Sequence, residues 1–219
     1  MKLRLLLLLF PALLLLLQSC TNSTVIVASW ANKEAAKAKP HHTIFIAALA
    51  QNMDVRTSLE SYLADEAVKR NLTAVKSYEV FLPNFTKDNM PTKEEMLKVI
   101  KEKKCDAIFL VSLLDVKTES RYVPGSSYAP ASSYGYYGGW YGYYGYNYPR
   151  VYEAGYYTTD KLFYLESNLF DTETGNILWS AQSETTNPTS IDQFSKDYVK
   201  AAMKELVSKG IAKKVEEKK

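Results

Sequence analysis

Cys20 stands directly behind an almost unbroken leucine tract over residues 5–17, which follows Lys2 and Arg4 and leads into Gln18 and Ser19. Two positive charges, a short apolar core and a small residue before a cut are the parts of a secretory signal peptide. The tract is too short for a stable membrane span of roughly 20 residues. The other cysteine, Cys105, opens a strongly apolar run and reads as a small buried residue rather than a reactive thiol. His41 and His42 are the only histidines. Neighbours on an extended chain point to opposite faces, so the pair is not expected to share a metal. Asp115 falls at the expected carboxyl end of a strand, where ligands of parallel sheets bind. A plain strand-end residue is the alternative there. Asp171-Thr172-Glu173-Thr174-Gly175 has the acidity of a calcium loop but the wrong ligand count and glycine offset, and reads as a turn. The chain carries no Gly-x-Ser-x-Gly elbow, phosphate loop, zinc spacing or histidine beside a nucleophile. The expectation is therefore a chain that is not an enzyme and takes no metal or cofactor.

Leu17-Gln18-Ser19-Cys20 resembles a bacterial lipobox. That resemblance implies cleavage before Cys20, a diacylglycerol on its sulfur and usually a third acyl chain on the new amine. Membrane lipid is then the partner of Cys20, because two or more chains make a stable anchor where one is marginal. Thr21 stands where an aspartate would imply inner-membrane retention in enteric-type sorting, and no acidic run follows. The resemblance thus implies the periplasmic face of the outer membrane. Removing residues 1–19 leaves 200 residues, enough for one well-buried domain. Lys2 and Arg4 leave with the signal, so 25 bases face 24 acids and the +3 of the full chain falls to +1. Such a chain has no broad basic field for nucleic acid. With Cys20 acylated, Cys105 has no partner for an intramolecular disulfide.

The elements that must position these residues follow from apolar spacing. Residues 20–42 read as a lipidated tether, with Val25-Ile26-Val27 able to pair briefly with a sheet edge. A continuous apolar run over residues 43–50 suits a strand covered on both faces. Asp54 or Thr57 is expected to cap the next helix, Thr57 with Glu60 as a capping box, and Val55, Leu59, Leu63 and Ala67 share one face. Asn71 fits a left-handed cap, and a more exposed strand is expected over residues 74–82. A second capping box, Thr92 with Glu95, starts a helix whose buried stripe is Met96, Val99 and Ile100. Residues 106–115 form the most apolar strand. A hairpin follows over residues 161–184, with Gly175 supplying a positive φ. Ser190 and Gln193 are expected to box the last helix, Ile191, Phe194, Tyr198, Ala201 and Leu206 to pack inward, and Gly210-Ile211 to stop it. Residues 214–219 are a charged tail.

Thirteen of the seventeen tyrosines and seven of the nine glycines lie between Tyr122 and Tyr157. Residues 121–160 are therefore expected to form a Tyr/Gly-rich low-complexity insert, with hairpin arms near its base. Tyr136, Tyr137, Trp140, Tyr141, Tyr143, Tyr144 and Tyr146 are the candidate partner-binding residues. Tyrosine offers a large amphipathic contact at low entropic cost, and its ring stacks on sugars. An inert spacer and self-association through aromatic contacts remain the alternatives.

The expected class is α/β, a two-layer or three-layer mixed sheet in the order β-α-β-α-β, insert, β-hairpin, α, forming one domain over residues 43–213. Over residues 44–211 this order, with Cys105-Asp106-Ala107-Ile108 and Asp171-x-x-Thr174-Gly175-x-x-x-Trp179, resembles the small periplasmic modules of bacterial envelope lipoproteins. Those include the curli-secretion lipoprotein, the activators of penicillin-binding proteins and the N-terminal domain of the Tol-system propeller protein. The resemblance implies a fold and transfers no binding residue. Together the residues point to a tethered binding or assembly module whose partner is an envelope protein or a glycan. The rival expectation is a small-ligand carrier or envelope enzyme using Asp115 and residues 84–89.

Overall fold

The apolar run at residue 43 becomes β2 (Thr43–Leu49), and its alternation sorts two cores. Ile46 and Ala48 face one side with Phe109, Val111 and Trp179, while Phe45 and Ala47 face the other with Ile100 and Cys105. A strand buried on both faces belongs inside a sheet. In the computed structural model, which describes residues 23–81, 91–123 and 156–215, it is the second strand from one edge of six.

The other elements are β1 (Thr24–Ala31), α1 (Lys33–Ala38), α2 (Met53–Val68), β3 (Thr73–Lys76), α3 (Ser77–Val80) and α4 (Lys93–Glu102). They are followed by β4 (Ala107–Val123), β5 (Tyr156–Asp171), β6 (Ile177–Thr186) and α5 (Ile191–Ser208). The sheet order is β1-β6-β5-β4-β2-β3. β2 is parallel to β3 and β4, whereas β4-β5, β5-β6 and β1-β6 are antiparallel. Leu59, Leu63 and Ala64 of α2 and Phe194, Tyr198, Ala202 and Leu206 of α5 fill the larger core. Ile100, Met96 and Val99 of α4, with Val80 of α3, cover the opposite face of β2. Three layers result, so the α/β class stands and the two-layer option falls.

Several local expectations meet the structure directly. Thr92 and Glu95 form the reciprocal box. Asn71 has φ 63°, Gly175 71° and Gly210 74°, the left-handed region where asparagine and glycine are least penalised. Ile211 donates its N–H to the Leu206 carbonyl and packs on the core, closing α5. Ala201 is only partly buried, and Ile191 is exposed.

Others are corrected. Residues 24–38 are not a tether. β1 pairs along β6 from Thr24↔Thr185 to Ala31↔Trp179, because it satisfies the backbone groups of a strand that would otherwise be an open edge. Ile26 and Ala31 pack on the core, and the Ser29 hydroxyl donates to Glu205 at 2.6 Å. α2 is capped by Asn52, whose side chain accepts from the Asp54 and Val55 N–H groups. Thr57 lies inside the helix and donates to the Met53 carbonyl, while Glu60 turns inward. The strand expected over residues 74–82 stops at Lys76, since Glu60 draws the Ser77 hydroxyl and Tyr78 N–H into α3. Ser190 caps α5, but the Gln193 amide donates to Asp197 at 2.7 Å instead of completing a box. A carboxylate one turn along is the stronger acceptor. Finally, β4 does not end at Asp115. A bulge lets it continue to Val123 against β5, giving the expected hairpin arms their full length. Among the described residues no helix is long and apolar enough to cross a membrane.

Candidate functional site

The starts of β2 and β4 and the ends of β1, β5, α2 and α5 meet at one end of the sheet. Between α2, α5 and the linker over residues 39–42 they leave a cleft of about 460 Å³. Its floor is apolar, with Ile44, Ile46, Leu63, Ala67, Phe109 and Leu206. Helix periodicity explains the floor, because Leu63 and Ala67 are four apart on α2. Leu72 and Ile211, just past the two helix stops, close its side.

The rim is charged and tied together. Asp171 is 5% exposed. Its Oδ2 receives Lys39 Nζ at 2.8 Å and lies 3.3 Å from His41 Nε2. Its Oδ1 accepts from the Thr174 N–H at 2.8 Å, the Thr174 hydroxyl at 2.9 Å and the Glu173 N–H at 3.0 Å. Burial alone would raise this carboxyl, but Lys39, Thr174 and His41 outweigh it and hold it well below the usual carboxylate range. Asp106 accepts the backbone N–H groups of His42 at 2.7 Å and Thr43 at 3.1 Å, setting where the linker enters β2. Across the cleft, Glu66 pairs with Lys69 and Arg70, and Arg70 Nε donates to the Lys213 carbonyl at 3.1 Å. Burial raises the Glu66 carboxyl, and these two cations more than offset it, leaving it lowered. What the arrangement offers is an apolar recess framed by balanced charge, suited to receiving an apolar group beside a polar backbone or hydroxyl array.

The Asp171 lock carries a pH dependence. Its folded-state pKa is depressed, so its stabilisation is fully present above the unfolded value of about 3.9 and is lost as pH falls toward the folded value. Urea midpoints from neutral pH down to pH ~3 should fall for the natural chain below pH ~4. Asp171→Asn should already be less stable at neutral pH and show a flatter acid limb. Parallel curves for the two proteins would count against the lock.

A second polar cluster lies at the other end of β2. Glu60, fully buried, accepts through Oε1 from the Ala48 N–H at 2.9 Å, Arg56 Nε at 3.2 Å and the Ser77 hydroxyl at 2.6 Å. Its Oε2 accepts from the Tyr78 N–H at 3.1 Å. Every acceptor position points at an element of the fold, so this cluster ties α2, β2 and α3 together.

Cys20 and the candidate residues Tyr136, Tyr137, Trp140, Tyr141, Tyr143, Tyr144 and Tyr146 lie outside the described residues, as do residues 84–89. Asp115 is exposed beside the bulge and accepts the Val116 N–H at 2.8 Å. It is not at a strand end, so the crevice argument for a ligand there does not hold. Cys105 is buried as expected, and burial, aided by Asp106 and opposed by Lys103, pushes its thiol up to about 11. No group of three metal-ligating side chains occurs among the described residues. Sequence reasoning missed Lys39, Glu66 and Arg70 of the rim and the buried Arg56–Glu60 pair. The signal for the helical pairs was their i,i+4 spacing.

No family model matches this chain, and no curated protein matches it. Among solved structures it is similar to the PelC dodecamer from Paraburkholderia phytofirmans, at 11% identity and TM-score 0.45, covering 87% of this chain and 99% of that one. It is also similar to lipoprotein GNA1162 from Neisseria meningitidis, at 12% and 0.41, covering 77% and 99%. A PDZ domain protein from Parabacteroides distasonis follows at 10% and 0.39, covering 88% of this chain and 37% of that one. Likeness at this level carries no function across.

Proposed function

We propose that this chain is a lipid-anchored, non-catalytic module on the periplasmic face of the outer membrane, whose cleft docks an apolar segment of an envelope protein. The observation that carries the reading is polarity along the sheet. β1 begins at Thr24, four residues after Cys20, at the end of the sheet away from the cleft. Leu178 at the cleft and Thr185 beside Thr24 are seven residues apart on β6, about 24 Å at strand rise. An anchor at Cys20 therefore turns the cleft outward from the membrane. The charged groups of the rim are engaged with one another and with backbone, which supports holding a partner rather than moving protons. The tyrosine-rich insert is proposed as a further contact for protein or glycan.

A small-ligand carrier is the second reading. It is favoured by the cleft volume, which lies in the range of small-molecule sites, and it would use the cleft rather than Asp115. One experiment separates the two. A photo-crosslinker at Lys213, on the rim, should capture a protein in intact cells, one at Gln182 on the opposite sheet face should not, and Ala212→Trp should abolish the Lys213 product without lowering the unfolding midpoint. Persistence of that product in Ala212→Trp would remove the cleft from docking. A metabolite-induced thermal shift lost in Ala212→Trp, with no protein captured, would establish the carrier.

A further inference from the structure

We infer that the two-stranded ribbon formed by β4 and β5 reaches into the headgroup layer of the bilayer that holds Cys20 and meets lipid at the end that carries the exposed Tyr157. This rests on the anchor reading above, and adds to it a second membrane contact built into the domain.

Ser23 is held at the end of the sheet: its carbonyl accepts the Thr186 N–H at 2.9 Å and its hydroxyl donates to Asp197 at 2.7 Å. Thr186 in turn pairs with Leu162, the last pairing of β6. Beyond that level β4 and β5 run on through six further pairs, from Thr118↔Lys161 to Val123↔Tyr156, with Asn187 holding β5 at Lys161 and Asp160 at the start of the stretch. Six residues of antiparallel strand extend about 20 Å. Cys20 is three residues from Ser23, a reach of at most about 11 Å even when fully extended. The ribbon therefore overruns the tether by about 10 Å on the same side of the domain. A bilayer within reach of the acylated sulfur lies across its path.

The surface at this end has the matching character. Val25, Leu114, Val116 and Tyr157 are 45–75% exposed there, and Ile191 at the start of α5 is 37% exposed. The ribbon itself excludes full insertion. Glu119, Arg121, Asp160 and Lys161 lie along it, with Arg121 and Asp160 paired at 3.1 Å. An open two-stranded sheet with free edges has no place in hydrocarbon. Charged along its arms and aromatic at its end, it fits the interface, where tyrosine sits with its ring among the chains and its hydroxyl among the headgroups. Two acids balance two bases on the arms, so attraction to anionic lipid plays no part and the contact is apolar and hydrogen-bonding in kind.

The test uses the full lipidated chain reconstituted in phosphatidylcholine vesicles, with and without phosphatidylglycerol. An environment-sensitive fluorophore is attached at Tyr157→Cys or, at the opposite end, at Glu173→Cys. Both positions are exposed, and buried Cys105 is shielded from the label. Flotation reports the anchor independently. The expected result is several-fold stronger quenching at position 157 than at 173 by lipids carrying a quencher near the headgroup, unchanged by phosphatidylglycerol. Equal weak quenching at both positions in floating protein would overturn the ribbon contact and leave the anchor standing. Shielding of position 157 from an aqueous quencher without lipid quenching would assign it to protein or self-association, and would also overturn the inference. A chain that fails to float with Cys20 intact would overturn both.

Discussion

Replacing Cys20 with alanine, behind an ordinary cleavable signal in place of residues 1–19, is expected to move the protein from the membrane fraction to the soluble periplasmic fraction. Each buried methylene contributes about 0.8 kcal/mol, so two or three acyl chains make a stable anchor where a single chain is marginal and reversible. No helix among the described residues is long and apolar enough to cross a membrane. The ribbon contact proposed above is a modest interfacial one, enough to orient a tethered domain and too weak to hold a free one. Fractionation with mass spectrometry of the mature N-terminus reads the result. A substituted protein that remains with the membrane, or a natural N-terminus that carries no fatty acid, would remove the anchor and with it the orientation of the cleft.

Glu60→Ala should cost about 3–5 kcal/mol, the range for breaking a buried ion pair by removing one partner. The loss has identifiable parts. The Arg56 guanidinium keeps its buried position without the carboxylate beside it, and the Ala48 and Tyr78 N–H groups and the Ser77 hydroxyl lose their acceptor. Each buried donor left unsatisfied costs about 1–3 kcal/mol. A typical domain has only about 5–15 kcal/mol in total, so the variant should unfold at markedly lower urea and accumulate poorly in cells. Glu60→Gln keeps one oxygen acceptor and should lose less. Urea unfolding followed by circular dichroism measures both, and a loss under about 1 kcal/mol for the alanine variant would show that the cluster is not what holds α3 to α2.

The described elements mark where sequence reasoning met the structure and where it stopped. The Thr92–Glu95 box, the left-handed Asn71, Gly175 and Gly210, the stripes of α2 and α4, Phe194, Tyr198 and Leu206 of the α5 stripe and the burial of Cys105 were legible. Each depends on residues within a few positions of one another, and backbone sterics or helix periodicity decides it locally. The break between β3 and α3 was not legible, because the Glu60 carboxylate that makes it sits 17 residues away on another element. β1 was hidden for the same reason. Its sequence suits a spacer as well as a strand, and only the vacant edge of β6 chooses between them.

The cleft shows the same division at larger scale. Its floor residues could be picked as buried from their spacing, yet nothing in the chain order brings Lys39, Glu66, Arg70 and Asp171 around one recess. Chain order did determine an α/β pattern and the composition that leads us to expect an export signal ending at Cys20 and an aromatic insert, because charge, hydropathy and turn chemistry are properties of neighbours. That β1 begins at one end of the sheet while the cleft opens at the other was decided only when β1 docked antiparallel on β6. Strand direction and register are set by partners distant in the chain, and they alone determine which residues share an end.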